Sequence, residues 1–121
     1  MVDKRLRRRT PVRLKQIRGV AEDLSGWVGE EVDLSGFLEQ AHYQETDLIL
    51  VDRVPLAMRI EVAGSMGWYP TLRGITAWQV ERSWVAVDDG AIPFLRNGAD
   101  CMGAGIHIAD PSLSVGDFVW I

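Results

Sequence analysis

The side chains able to do chemistry in this chain are few and far apart. Cys101 is the only cysteine, and His42 and His107 are the only histidines. Nucleophilic catalysis needs a thiol or hydroxyl beside a base, and a structural zinc site needs four Cys or His ligands at close spacing. Neither pattern occurs, and a single cysteine cannot form an internal disulfide. Asp100-Cys101-Met102 reads as a buried strand in which the thiol packs as a small apolar residue. Gly103-Ala104-Gly105 is shorter than a phosphate loop or a dinucleotide fingerprint. No catalytic residue, metal or cofactor is expected.

What the residue types do support is contact with phosphate. Arg5, Arg7, Arg8, Arg9 and Arg13, with Lys4, Lys15 and Arg18, put 8 of the 13 cations within residues 1–18, opposed there only by Asp3. The other 5 cations share the rest of the chain with 16 carboxylates. The net charge of −4 therefore conceals a basic end on an acidic body. That asymmetry points to nucleic acid; the alternative is a solvated end that binds nothing.

Composition sets the frame for these groups. An apolar fraction of 47% with five Trp in 121 residues supports a packed core. No apolar run approaches the roughly eighteen residues of a membrane span. The charged N-terminal residues lack the apolar stretch of a secretory signal, and a cytoplasmic protein is expected. The five Trp lie in apolar contexts and are expected to pack rather than stack on bases.

The elements that must position these residues follow from local signals. Lys4 to Arg9 is either a short edge strand or a basic arm. Thr10-Pro11 predicts a helix start, with a hydroxyl cap before proline at the first helical position. Leu14, Ile17, Ala21, Leu24 and Val28 recur at helical spacing and define one apolar stripe. Gly26 and Gly29 end or break that helix. Ser35 to Tyr43 is a short helix or a strand.

Asp47 to Val51 and Leu56 to Val62 read as strands. In the second, Met58, Ile60 and Val62 alternate with Arg59 and Glu61, as one wet face requires. Asp52-Arg53 makes the hairpin, with the turn type left open. Gly64 to Gly67 reads as a flexible loop, and Thr71 to Trp78 as a short helix or turn.

The run Trp68-Tyr69-Pro70-Thr71-Leu72-Arg73, followed by Val87-Asp88-Asp89-Gly90-Ala91-Ile92 and Asn97-Gly98-Ala99-Asp100-Cys101-Met102, resembles the junction between a pre-PUA and a PUA domain. The arrangement is similar to that of archaeal PUA-containing RNA-binding proteins and the malignant-T-cell-amplified-sequence translation factors. It spans residues 45–121 well and the first 44 loosely. The resemblance implies an α+β fold: a pre-PUA domain at 1–80, with a helix packed on an antiparallel sheet, then the N-terminal part of a PUA β pseudo-barrel at 81–121. Gly116 to Ile121 resembles the Gly-Asp turn and central strand of such a barrel, so the chain is expected to stop within the PUA domain.

By the same resemblance, RNA lies against Gly90, Ala91, Arg96, Gly98, Ala99 and Gly105, and the basic arm adds Arg5, Arg7, Arg8, Arg9 and Arg13. Tyr69, Pro70, Leu72 and Arg73 are implied as an interdomain corner, the alternative being direct contact with a partner or RNA, Arg73 foremost. The implied function is non-catalytic RNA binding in translation, with tRNA or rRNA, the small ribosomal subunit and an initiation-factor-like protein as partners. Two further readings stand beside it: a protein–protein scaffold in a ribosome-associated complex, and the RNA-targeting module of an RNA-modifying enzyme.

Overall fold

Two tight turns organise the first part of the chain. Asp52 and Arg53 both take positive φ (49° and 72°), as do Ala63 and Gly64 (51° and 83°). This is type I′ geometry, whose twist matches that of the flanking strands. The computed structural model describes residues 5–121, which leaves Lys4 outside the described residues. The chain divides into two compact units, Met1–Val80 and Glu81–Ile121.

In the first unit, β1 (Arg7–Pro11), β2 (Leu38–Tyr43), β3 (Thr46–Val51), β4 (Val54–Val62) and β5 (Ser65–Pro70) form an antiparallel sheet in that order. Helix α1 (Arg18–Val28) packs on β5, and α2 (Leu72–Ala77) on β4. The central strand β3 is buried on both faces. Leu48 and Leu50 cluster with Ala41, against which Leu6, Tyr43 and Met58 pack. Ile49 and Val51 alternate to the other face and are equally buried. In β4 the expected alternation holds, with Arg59 and Glu61 exposed between half-buried Met58, Ile60 and Val62.

Several local expectations yield to pairing. Thr10 and Pro11 do not start a helix; they lie opposite Gln40 and Glu39 at the end of β1. An edge strand tolerates proline, and the bond from Val12 N–H to Leu38 O extends the ladder beyond it. The helical region begins instead after Arg13, whose N–H donates to the Gln16 side chain at 2.7 Å, in a 3-10 turn over Leu14–Ile17. The buried stripe is consequently Ile17, Val20, Leu24 and Val28, while Leu14 is 51% exposed. Gly26 lies inside α1, and Gly29 alone caps it at φ 92°. Residues 64–67 are no flexible loop, because the Ala63-Gly64 turn locks Ser65 opposite Val62 and begins β5.

Helix α2 is anchored through the residue that caps it. The Thr71 hydroxyl accepts from Gly74 N–H at 3.1 Å and donates to Pro55 O at 2.7 Å. Pro55 sits beside a register shift between β3 and β4, a position that suits a residue without a ladder donor.

In the second unit, β6 (Val85–Val87) pairs antiparallel with β7 (Ile106–Ala109), and α3 (Ile92–Arg96) lies between them in sequence. Asp110 is buried, and its carboxylate collects Ser83 N–H (2.6 Å), Ser112 N–H (3.0 Å) and the Ser112 hydroxyl (2.7 Å). Those bonds, the one from Ser112 N–H foremost, hold its carboxyl below the usual range.

Two expected strands are absent here. Asp100–Met102 is irregular with Cys101 half-buried, because β6 takes β7 as its neighbour and the extended segment meets no ladder among the described residues. Phe118–Ile121 contributes one bridge only, Trp120 to Trp84. All five Trp are half-buried, and Trp78 and Trp120 donate their indole N–H to Asp33 O and Arg82 O.

Candidate nucleic-acid interface

Edge strand β1 sorts its arginines. Arg9 forms a bidentate pair with Glu39, with Nε to Oε2 at 2.6 Å and Nη2 to Oε1 at 2.9 Å. Glu39 is only 6% exposed. The hydrogen bond from Arg9 holds its carboxyl below the usual range against the opposing effect of desolvation, and raises the guanidinium in return. Arg9 is thus a structural ion pair, its guanidinium engaged by Glu39. The reason is pairing: β1 lies beside β2, and Glu39 sits 30 residues away in sequence.

Like Arg9, whose side chain keeps 37% exposure, the other cations of this region lie at the surface. Arg5, Arg7, Arg8 and Arg13 are exposed, as are Lys15 and Arg18. Arg7 donates to Gln44 O at 2.9 Å, and Arg8 takes a positive φ of 52° at the irregularity between Arg7 and Thr10. Arg7 also stands opposite His42, which stands opposite Asp47. His42 Nδ1 lies 2.8 Å from Asp47 Oδ1, and Arg59 Nη1 lies 4.0 Å from Asp47 Oδ2.

Arg7, His42, Asp47 and Arg59 therefore make a row of polar groups across four strands. Sequence reasoning missed His42, Asp47 and Arg59. A plain two-residue hairpin would set Met58 opposite Asp47; the shift at Pro55 pairs Met58 with Leu48 and brings Arg59 to Asp47. The proline immediately before the strand-like run Leu56–Val62 was the available signal.

In the second unit, the residues expected at a PUA surface fall into two groups. Gly90 and Ala91 lie in a 3-10 turn, Asp89–Ala91, which leads into α3. Gly105 is brought against them: a β-carbon there would lie 3.3 Å from that of Ala91, and Gly105 O accepts from Asp88 N–H at 2.8 Å. Arg96, Gly98 and Ala99 lie at the far end of α3. Gly98 N–H donates to Leu95 O and Ala99 N–H to Phe94 O, with Gly98 at φ 91°. This is the paired-bond ending of a Schellman motif. Gly98→Val is expected to cost about 1 kcal/mol or more, read as a lower thermal midpoint; superimposable melting curves would remove the tight-turn argument.

The charge of this unit is unlike that of β1. Arg96 is the exposed cation of α3, whereas Asp88, Asp89 and Asp100 are exposed carboxylates. Asp88 lies 3.7 Å from His107. Phe94 and Met102, each 68% exposed, and Ile108 make the surroundings apolar.

The Tyr-Pro-Thr-Leu-Arg run lies in the first unit. Tyr69 meets Trp27 edge-on at 6.3 Å, and Pro70 is buried opposite Ala57. Leu72 and Arg73 stay exposed on the first turn of α2. Among the described residues, no three His, Cys, Asp or Glu side chains converge as a metal site.

No protein-family model matches the chain. It is similar in structure to a conserved PUA domain protein from Thermoplasma acidophilum, with a TM-score of 0.73 and 22% identity over 92% of this chain and 69% of that one. The α+β arrangement is thus a PUA-like fold. In sequence the chain is 31% identical, over 119 residues, to an uncharacterized protein of Methanocaldococcus jannaschii. That match covers 96% of this chain and 71% of the archaeal protein, and the chain belongs to the same family.

Proposed function

We propose that this protein is a non-catalytic RNA-binding factor of the translation apparatus, taking tRNA or rRNA, with a pre-PUA domain at 1–80 and PUA-domain residues at 81–121. The observation that carries the reading is the set of exposed cations on and to either side of β1, namely Arg5, Arg7, Arg8, Arg13, Lys15 and Arg18, in a chain that is otherwise acidic. Guanidinium groups on a strand edge make phosphate contacts without demanding a base sequence. In the second unit, Ala91 and Gly105 at one end of α3, and Gly98 and Ala99 at the other, present backbone with little side chain. Recognition there would rest on shape and hydrogen bonds, since Arg96 is outnumbered by exposed carboxylates. The small ribosomal subunit and an initiation-factor-like protein are the partners that the resemblance suggests.

The test is the salt dependence of tRNA binding. Arg7→Ala, Arg8→Ala and Arg13→Ala together are expected to lower the log–log slope by about 0.7 to 0.9 for each phosphate that is no longer neutralised. Arg9 is left intact because of its structural pair. An unchanged slope, or no binding by the parent chain at low salt, would refute the reading.

A protein–protein scaffold is favoured by one observation of its own, the exposed Phe94, Met102 and Ile108 of the second unit. Complexes held by those residues would survive salt that releases RNA.

A further inference from the structure

We propose that the open groove between α1 and residues 31–35 docks a cationic, apolar-anchored segment of another protein. The proposal is independent of RNA binding. The groove has a volume of about 730 Å³. Exposed Leu14 and half-buried Ala21 supply its apolar surface, over the buried side chains of Val32 and Leu34. Leu14 and Ala21 are the two members of the expected core stripe that the fold does not bury.

The geometry of α1 explains this. Ile17, Val20, Leu24 and Val28 take the core-facing stripe. Leu14, Arg18, Ala21 and Ser25, spaced by four, three and four residues, form the adjacent stripe, which lines the groove. The part of that stripe on α1, Arg18 to Ser25, runs roughly 10 Å at helical rise, and Leu14 extends it from the preceding 3-10 turn. An open trough of that length suits a short helix or an extended peptide laid along it. A small ligand would instead need a site that encloses most of its surface.

Charge selects the occupant. Among the described lining residues, Glu22, Glu31 and Asp33 stand at the groove against one cation, Arg18. The Asp33 carboxyl is held below the usual range by the Ser35 hydroxyl at 2.6 Å and the Ser35 N–H at 2.9 Å, so it stays ionised. An anionic rim repels phosphate and attracts Lys or Arg flanking an apolar anchor. The groove is thus unsuited to RNA and suited to a basic amphipathic segment.

A methyl-detected titration of the full chain with two synthetic peptides of equal length tests this, one an amphipathic Leu/Lys helix and the other its Leu/Glu counterpart. The Leu/Lys peptide is expected to shift the methyls of Leu14, Ala21, Val32 and Leu34, and the Leu/Glu peptide is expected to leave them in place. Glu22→Lys with Glu31→Lys should weaken binding roughly tenfold or more. Glu45→Lys with Glu61→Lys, at exposed acids on the hairpins, should change it less than about twofold. Equal losses in the two double variants, shifts confined to residues outside the groove, or equal binding of both peptides would overturn the proposal. So would an RNA oligonucleotide that shifts the same methyls, or a concentration-dependent dimer that occupies the groove.

Discussion

Replacing Gly74 by alanine is expected to destabilise the first unit by about 3 kcal/mol or more, the upper end of what overpacking costs. Gly74 is the third residue of α2 and lies against β4. A β-carbon there would lie far inside van der Waals contact distance of the Leu56 carbonyl oxygen and 3.0 Å from the Trp78 ring. The obstacle is backbone, so no rotamer change relieves it. Relief would require α2 to move off β4 or its first turn to open, which would break the Thr71 bonds to Gly74 and Pro55. Gly19→Ala is the control of opposite sign. It lies in α1 where a β-carbon meets nothing within 4 Å, so alanine should stabilise by about 0.5 to 1 kcal/mol through helix propensity and reduced unfolded-state entropy. Denaturant midpoints of the two variants should move in opposite directions. A Gly74→Ala midpoint within error of the parent would show that α2 does not dock on β4 as described.

Arg9→Ala is expected to lower the thermal midpoint far more than Arg8→Ala, although the two arginines are neighbours on one strand. Arg8 is exposed, whereas Arg9 supplies both hydrogen bonds to the buried Glu39 carboxylate. Removing one partner leaves a charge in a poorly solvated place. Arg9→Lys should recover only part of the loss, since an ammonium cannot reproduce the fork-to-fork geometry.

The pH dependence has a definite sign. The folded-state pKa of Glu39 is depressed, so its stabilising contribution is fully present above the ordinary carboxylate pKa. That contribution disappears as pH falls through the depressed value. The gap between parent and Arg9→Ala should accordingly be widest near neutral pH and shrink in acid, and Glu39→Gln in the Arg9→Ala background should restore stability at neutral pH. Matching midpoints for Arg8→Ala and Arg9→Ala would mean that the pair contributes nothing. A gap that widens in acid would reverse the assigned sign.

Features that neighbours in the chain decide were legible in the amino-acid sequence. The alternation of Met58, Ile60 and Val62 fixed the faces of β4, and Asp52-Arg53 marked its hairpin. Gly29 ended α1 because that end needs a left-handed residue. These signals act over a few residues, where propensity and backbone sterics outweigh everything more distant.

Whatever needed a partner from elsewhere was set by the folded chain. Thr10-Pro11 carries a sound local helix signal, yet backbone bonds to β2 and the Arg9–Glu39 pair made it an edge strand. The Pro55 shift put Arg59 rather than Met58 beside Asp47. Leu14 and Ala21 fit the apolar stripe by spacing, but the rotation of α1 on its sheet turned them into the lining of a groove. Asp100–Met102 has a strand-like sequence and found no ladder, because β6 paired with β7. Cations alike in composition became either structural or available for the same reason. A guanidinium's role depends on whether a buried carboxylate lies within hydrogen-bond reach, and across 30 residues only tertiary structure sets that distance.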